Sequence, residues 1–388
     1  MPGGLRDRLV RLRQQPGLEA QAPVRDRLAR LGRQSPGGAS PPDDARVADL
    51  AGGVVLGEGL VLVERRLALP GIAGLSTALQ ALPTRIRHGG DAWVVVDTET
   101  TGLAGGTGTL VFQLGMARPE GDGLCVRQWL LTRIGAEADM LQAADAWAGD
   151  AGLISYNGKC FDVPLLATRC RLARVDAGWL ERPHADLLHP VRRAFGRQWP
   201  DCRLASVEHR LLGQPRTGDL PGAEAPQAWL DYVRRGATEN LLRVLDHNRQ
   251  DLVSLASLVP ALAAVYLAPA RYGADVAAVA RAWEQAGDPE RAIAVLAEAG
   301  PGEAPALRHQ LGHLLKRQGD WEAACRLWEA LAADGDALAV EHLAKYYEHV
   351  RRDYPTAMTW ARRLPPRDTT DRRLDRLAAR VQDDLYSK

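Results

Sequence analysis

The segment Trp93-Val-Val-Val-Asp-Thr-Glu-Thr-Thr-Gly102 is the most informative part of the chain. Its three consecutive valines are typical of a strand that is buried on both faces of a parallel sheet. Asp97 and Glu99 follow at a spacing of two, so their carboxylates project to the same side. Two acids there are costly unless a cation lies between them, and oxygen ligands favour Mg²⁺ or Mn²⁺. An isolated Asp-x-Glu can also be only a turn with a helix N-cap, so the segment alone leaves both interpretations open.

A second acidic segment follows the predicted strand 152–156. It reads Asn157-Gly-Lys-Cys-Phe-Asp162, and the residues after it have a helical pattern. Asp162 therefore lies at a strand-to-helix junction, where it can be a ligand or simply an N-cap. His184-Ala-Asp-Leu-Leu-His189 is predicted to contain a short strand, with Asp186 either near the site or purely structural.

The third segment is Asp246-His-Asn-Arg-Gln-Asp251, at the start of an apolar helix. His247 and Asp251 are four residues apart, so a helix places them on one face. Such a pair is often only a surface contact. Its position after two other acidic segments favours a shared site.

Together the three segments resemble the motifs of the DEDD superfamily of ribonuclease-H-fold exonucleases. Residues from about 90 to 265 resemble its YprB-like branch, and the likeness extends to the glycine-rich loop Leu103–Gly108. The resemblance implies an α/β ribonuclease-H-like domain, with a mixed sheet flanked by helices. It also implies metal-dependent phosphodiester hydrolysis, as a 3′–5′ exonuclease acting on a single-stranded DNA or RNA end.

The resemblance further assigns roles to five residues. Asp97, Glu99, Asp162 and Asp251 would hold two divalent metal ions, Mg²⁺ or Mn²⁺. Asp97 would bridge the two ions, Glu99 and Asp251 would hold the ion that activates water, and Asp162 would serve the ion near the leaving group. His247 would take the proton of the water or orient it. Histidine-type members of the superfamily usually have five residues from His to Asp, whereas here the spacing is four, so the direction of the His247 ring is open.

Four further residues are predicted to contact nucleic acid: Thr100, Gly102, Asn157 and Lys159. The loop Gly102–Gly108 either is a tight connection between strands or admits a nucleic-acid backbone, because it lacks bulky side chains. Lys159 either meets a phosphate or is solvated.

The composition is that of an ordinary globular protein. The 388 residues are 46% hydrophobic and 25% charged, with a formal net charge of +1, so any nucleic-acid footprint must be local. The five cysteines form no C-x-x-C pair, which argues against a disulfide framework or a zinc site and favours the cytoplasm. No apolar run of membrane-spanning length is evident, so no membrane partner is expected.

Four regions are predicted along the chain. Residues 1–44 form an arginine-rich arm and linker, which either contacts phosphates or packs on the main domain. Residues 45–90 contain a β-hairpin within Gly53–Glu64, and residues 91–268 form the nuclease domain. Residues 269–388 form an all-α, tetratricopeptide-like helical repeat domain.

The repeat prediction depends on three aspartates followed four residues later by alanines. The aspartates are Asp288, Asp320 and Asp353, and the alanines are Ala292, Ala324 and Ala357. Each aspartate is predicted to be an N-cap and each alanine to permit close helix packing. Such repeats often bind a protein partner. The alternative function is therefore a non-catalytic scaffold whose nuclease core is vestigial. His309 and His313 are expected on a helix surface.

Overall fold

The computed structural model describes residues 43–83, 92–102, 108–300 and 304–386. The predicted arginine-rich arm and residues 103–107 of the glycine-rich loop lie outside this range. The described chain forms two compact units. The first takes its residues from segments that end at Ser76, Leu188 and Val259. The second consists of the chain from Pro260 onward, His189–Cys202 and a short segment that begins at Thr77. The predicted domain boundaries stay predictions.

A seven-stranded mixed sheet forms the centre of the first unit. Its strands are β1 Val54–Gly57, β2 Leu60–Ala68, β3 Trp93–Thr100, β4 Val111–Glu120, β5 Gly123–Leu131, β6 Gly152–Ser155 and β7 His184–Asp186. Their order is β1-β2-β5-β4-β3-β6-β7. β6 and β7 run parallel to β3, whereas the other neighbours are antiparallel. The predicted hairpin is confirmed as β1–β2, and it extends the sheet beyond β5.

The valines of β3 place this strand at the centre of the sheet. Val94, Val95 and Val96 are buried between β4 and β6, with exposures of 0 to 3%. Helices flank the sheet. The helices of the described chain up to residue 267 are, in order, α1 Asp44–Ala51, α2 Leu75–Gln80, α3 Glu137–Ala148, α4 Asp162–Ala173, α5 Leu188–Phe195, α6 Leu204–Val207, α7 Ala225–Arg235 and α8 Glu239–Leu267. The predicted α/β fold with a mixed, helix-flanked sheet is confirmed.

The described residues that follow α8 are mainly helical, as predicted. Its helices are α9 Val276–Ala286, α10 Pro289–Glu298, α11 Pro305–Arg317, α12 Trp321–Ala333, α13 Ala337–Tyr346, α14 Tyr354–Ala361 and α15 Asp368–Tyr386. Short 3₁₀ and π-helical turns also occur: Ile72–Gly74, Ile134–Ala136, Gly178–Glu181, Glu208–Leu212, Gly222–Glu224, Pro269–Tyr272 and Tyr347–Arg351.

The three predicted N-caps of this helical region are confirmed. Asp288, Asp320 and Asp353 accept hydrogen bonds from the backbone N–H three residues on, at 3.0, 3.0 and 3.1 Å. The paired alanines are fully buried, as expected for close helix contacts. The tetratricopeptide likeness itself stays a prediction.

Two statements made from the sequence need correction: the surface position of His309, and the absence of an apolar run long enough to span a membrane. His309 does not lie on a helix surface, because it is only 9% exposed and its Nε2 lies 3.0 Å from Asp336 Oδ2. Among the described residues, α8 is also long and apolar enough to cross a membrane by length and composition. However, 56% of its most apolar window is buried inside the protein, and a buried core helix passes the same test. This helix is therefore weak evidence for a membrane.

Candidate active site

The predicted site begins where β3 meets α8. Asp97 lies opposite Gly115 of β4, and residues directly opposite each other share a face of the sheet. A Cβ at Gly115 would lie 2.1 Å from Asn248 Oδ1 and 2.8 Å from Leu252 Cδ1. Only glycine therefore lets α8 approach the sheet this closely.

Asn248 uses this close approach to hold Asp97. Its Nδ2 donates a hydrogen bond to Asp97 Oδ2 at 2.7 Å. Its Oδ1 accepts one from Gln128 Nε2 at 2.9 Å, and Gln128 also donates to the Leu245 carbonyl at 2.7 Å. Asn248 and Gln128 are almost completely buried, so these bonds fix Asp97 against α8.

Asp162 reaches the same site from α4. It is the first residue of that helix, and Phe161 occupies the N-cap position, so the simple capping interpretation is wrong. The Thr98 hydroxyl donates a hydrogen bond to Asp162 Oδ1, which ties α4 to β3.

Asp186 holds the turn between β6 and α4. Its carboxylate accepts hydrogen bonds from the backbone N–H groups of Asn157 at 2.7 Å and Lys159 at 3.1 Å. Asn157 adopts a positive φ of 66°, a conformation that non-glycine residues rarely adopt. Asp186 therefore shapes the turn that precedes Asp162, which favours the structural role over the catalytic one.

His247 and Asp251 lie on one face of α8, as predicted. His247 Nε2 is 3.9 Å from Glu99 Oε1 and 3.8 Å from Asp251 Oδ2. The ring is therefore directed toward both carboxylates.

The loop that follows α6 supplies two side chains, Asp219 and Arg216, that contact His247 and Asp251. His247 Nδ1 lies 2.8 Å from the Asp219 carboxylate. The Arg216 guanidinium binds Asp219 at 2.9 Å and also contacts Glu208 and Asp251. Burial raises the pKa of Asp219, but hydrogen bonds from His247 and Arg216 outweigh this and lower it overall. One arginine thus neutralises part of an acidic cluster.

The four predicted ligands destabilise one another electrostatically. Burial raises the pKa of Asp97 and Glu99 well above the usual range, and the neighbouring carboxylates raise it further. Burial also raises the pKa of Asp162 to about 6, although the Thr98 hydrogen bond opposes this. Burial raises the pKa of Asp251 against the opposing charges of His247 and Arg216. Full ionisation of all four at neutral pH therefore needs additional positive charge.

The donor chemistry fits a hard divalent cation, because all four groups are carboxylates. No three His, Cys, Asp or Glu side chains within the described ranges form a ready-made metal-binding group. Asp97 faces Asn248, Asp162 faces Thr98, and Asp251 faces Arg216. Each of these contacts engages one oxygen of the carboxylate, so the second oxygen of each residue is the one that would hold a cation.

The residues that are predicted to contact nucleic acid differ in their exposure and hydrogen bonds. Thr100 donates its hydroxyl to the Gly102 carbonyl at 2.9 Å, so this hydroxyl serves the local backbone. Lys159 is exposed beside the site. Phe161, which sequence reasoning did not single out, is 57% exposed and precedes Asp162 directly.

Sequence reasoning also missed the groups that hold the acids and His247 in place. They are Gln128, Glu208, Arg216, Asp219 and Asn248. Asp219 lies in a polar loop and Gln128 in an apolar strand, and neither segment carries a local signal of its long-range partner. Asn248 was part of the motif, but no role followed from its sequence position.

Comparison with known proteins identifies the class of this domain. Residues 94–263 match the ribonuclease H superfamily. With the sheet order and flanking helices, this match shows that these residues have a ribonuclease-H-like fold. The superfamily commonly hydrolyses phosphodiester bonds, and its nucleases generally use divalent metal ions.

A particular relative is the Bacillus subtilis (strain 168) protein named Uncharacterized protein YprB. The two are 34% identical over 274 residues, which cover 68% of this chain and 66% of the relative. This chain thus spans just under two thirds of the relative's length. A solved family B DNA polymerase from the archaeon Pyrobaculum calidifontis covers 52% of this chain and 28% of its own, at 15% identity and a TM-score of 0.36. That likeness is too slight to support an argument.

Proposed function

We propose that the protein is a metal-dependent exonuclease of the DEDD type that removes nucleotides from the 3′ end of DNA or RNA. Asp97, Glu99, Asp162 and Asp251 would hold two divalent cations, Mg²⁺ or Mn²⁺. The observation that carries the proposal is the convergence of these four carboxylates from β3, α4 and α8. Their raised pKa values indicate a site whose negative charge is incompletely compensated.

Divalent cations held by these carboxylates would stabilise the attacking and leaving oxygens of the phosphodiester. The side chains of the protein supply the remaining functions. Asn248 holds Asp97, and Thr98 holds Asp162. His247, with Nε2 facing Glu99 and Asp251, is placed to take a proton from the attacking water.

Two exposed residues beside Asp162 suit a nucleic-acid end. Lys159 would pair with a backbone phosphate, and Phe161 would stack on an unpaired base. Because stacking accepts every base and both sugars carry the same phosphate, the proposal includes both DNA and RNA. The 3′ polarity comes from the resemblance to the superfamily.

A degradation assay tests this proposal. Single-stranded DNA and RNA, labelled at either end, are incubated with the protein and Mn²⁺ or Mg²⁺. We expect a ladder that shortens from the 3′ end, that EDTA abolishes, and that Asp97→Asn reduces by at least about 100-fold. Asp246→Asn is the matched control, since Asp246 is exposed on the same helix and pairs with Arg249 at 3.1 Å. Intact substrates under every metal would reject the enzyme proposal and favour the scaffold alternative.

Two further proposals concern the setting of this activity. We place the protein in the cytoplasm, which the five free cysteines support. We also propose that the helical region, residues 269–388, recruits a protein partner to the nuclease. A pull-down with the full chain and with a variant altered in that region would test the second point.

A further inference from the structure

The loop between α6 and α7 contacts the predicted catalytic helix through two side chains. Asp219 meets His247, and Arg216 meets Asp251. These are the two residues of α8 that the resemblance assigns to catalysis. Neither Asp219 nor Arg216 belongs to the sequence motifs.

The contact with Asp219 determines which nitrogen of His247 carries the proton. A carboxylate only accepts hydrogen bonds, so the 2.8 Å contact favours a proton on Nδ1 over the longer contact of 3.3 Å that Arg216 Nη1, a donor, makes to the same nitrogen. In the neutral ring, Nε2 then has a free lone pair. This lone pair faces Glu99 at 3.9 Å and Asp251 at 3.8 Å, where the predicted chemistry takes place.

Arg216 fixes the positions of the carboxylates around His247. Its guanidinium contacts three carboxylates: Glu208, Asp219 and Asp251. Glu208 is completely buried, and the Arg216 side chain is only 12% exposed. A planar guanidinium with several donors fixes the mutual positions of its acceptors, so Asp219 and Asp251 are held in a defined geometry.

We propose that Asp219 is a positioning residue that orients His247 as the general base, and that Arg216 aligns Asp219 with Asp251. This inference rests on the proposed nuclease function. It goes beyond that function because it adds an Asp–His pair and an arginine clamp supplied by a loop outside the motifs.

The pair would act in one balanced step. The Nε2 lone pair of His247 takes a proton from water while the water oxygen bonds to phosphorus. The bond between phosphorus and the 3′ oxygen breaks, and that oxygen takes a proton from solvent. Asp219 stabilises the resulting imidazolium, which later returns its proton to solvent.

The tautomer is tested first, without substrate or metal. Nitrogen-15 NMR of the histidine side chains distinguishes an Nδ1–H from an Nε2–H ring, and His247→Gln assigns the signal. We expect the Nδ1–H form in the wild type and a loss of that preference in Asp219→Asn. An Nε2–H ring in the wild type would overturn the proposal, whatever the protein does to nucleic acid.

Kinetics then test the role in catalysis. Under single-turnover conditions with Mn²⁺, we expect Asp219→Asn to slow degradation by about 100-fold, with Mn²⁺ affinity unchanged within about twofold. The double variant Asp219→Asn/His247→Gln is expected to be no slower than His247→Gln alone, because the two residues act as a unit. Asp219→Glu keeps the carboxylate and is expected to recover part of the rate. It also serves if Asp219→Asn fails to fold.

The outcomes separate this inference from the proposed function. Additive losses in the double variant, or an unchanged rate in Asp219→Asn while Asp97→Asn is inactive, would reject the positioning role and leave the nuclease intact. Absence of degradation by the wild type would reject the nuclease proposal, and with it the catalytic role of Asp219.

Discussion

Replacing Gly115 with alanine tests whether the close approach of α8 to the sheet builds the site. An added Cβ would lie 2.1 Å from Asn248 Oδ1 and 2.8 Å from both Asn248 Cγ and Leu252 Cδ1. Asn248 cannot move away without losing its hydrogen bonds to Asp97 and Gln128. We therefore expect α8 to shift or these buried bonds to break.

The magnitude follows from three contributions. Overpacking a dense core costs about 1–3 kcal/mol. Buried amides left without partners cost about 1–3 kcal/mol more. Alanine recovers about 0.5–1 kcal/mol in a strand because it is less flexible than glycine when unfolded. The expected net loss in the free energy of unfolding is thus about 1–5.5 kcal/mol, with a midpoint of about 3 kcal/mol.

Urea denaturation monitored by tryptophan fluorescence, with EDTA present, measures this loss. The matched control is Gly135→Ala, because Gly135 is exposed and a Cβ there would meet nothing within 4 Å. We expect the control to stay within about 0.5 kcal/mol of the wild type. Asn248→Ala should partly relieve Gly115→Ala in a double variant, since the two positions share one contact. A loss below about 0.5 kcal/mol for Gly115→Ala would show that the approach of α8 to the sheet does not depend on a glycine at this position.

Three further predictions concern other parts of the chain. The raised pKa of Asp162, about 6 in the folded protein, penalises folding increasingly as the pH rises from about 4 to 6. Urea denaturation in EDTA should therefore show that Asp162→Asn is more stable than the wild type at pH 7.5, by at most about 3 kcal/mol. The gain should be much smaller at pH 4.5, and an equal gain at both pH values would contradict this. Glu137→Gln should lower the free energy of unfolding by about 3 kcal/mol, because it leaves the mostly buried Arg169 without its ion-pair partner. Replacing both residues with methionine should cost less, as compared by thermal melting. A smaller loss in Glu137→Gln than in the double variant would show that the unpaired arginine is not the cause. Asp320→Ala should lower the free energy of unfolding by about 1 kcal/mol, because the N-cap hydrogen bond from the Ala323 N–H is lost, whereas Asp320→Asn should be nearly neutral. Equal losses for the two variants in urea denaturation would show that this hydrogen bond is not the cause.

Features set by local sequence could be predicted well. The valines of β3 and the two acids after them indicated a buried strand that ends at a site. The N-cap aspartates, such as Asp320, were recognised from their spacing, because a cap depends only on the next three residues. The β1–β2 hairpin followed from two apolar runs around a short turn.

Features set by long-range contacts could not be predicted. Asp219 and His247 are 28 residues apart, and Gln128 and Asn248 are 120 apart. Their side chains acquire a role only when the fold brings them together, and no periodicity records that. The direction of the His247 ring was open for the same reason, because a spacing of four defines a helix face and not a tautomer.

The register of β4 also could not be predicted from the sequence. The sequence predicted the strand but not that Gly115 would lie opposite Asp97. The absence of a side chain at one position thus determines how α8 reaches the site. Such a requirement becomes visible only when the neighbouring helix is in place.

The most direct measurement of the central claim is anomalous diffraction from crystals of the protein soaked in Mn²⁺. We expect two anomalous peaks, about 4 Å apart, between the carboxylates of Asp97, Glu99, Asp162 and Asp251. We also expect the loss of at least one peak in Asp97→Asn. Crystals in which these carboxylates bind no Mn²⁺, although it is present in excess at neutral pH, would contradict the claim that the four residues form a metal centre.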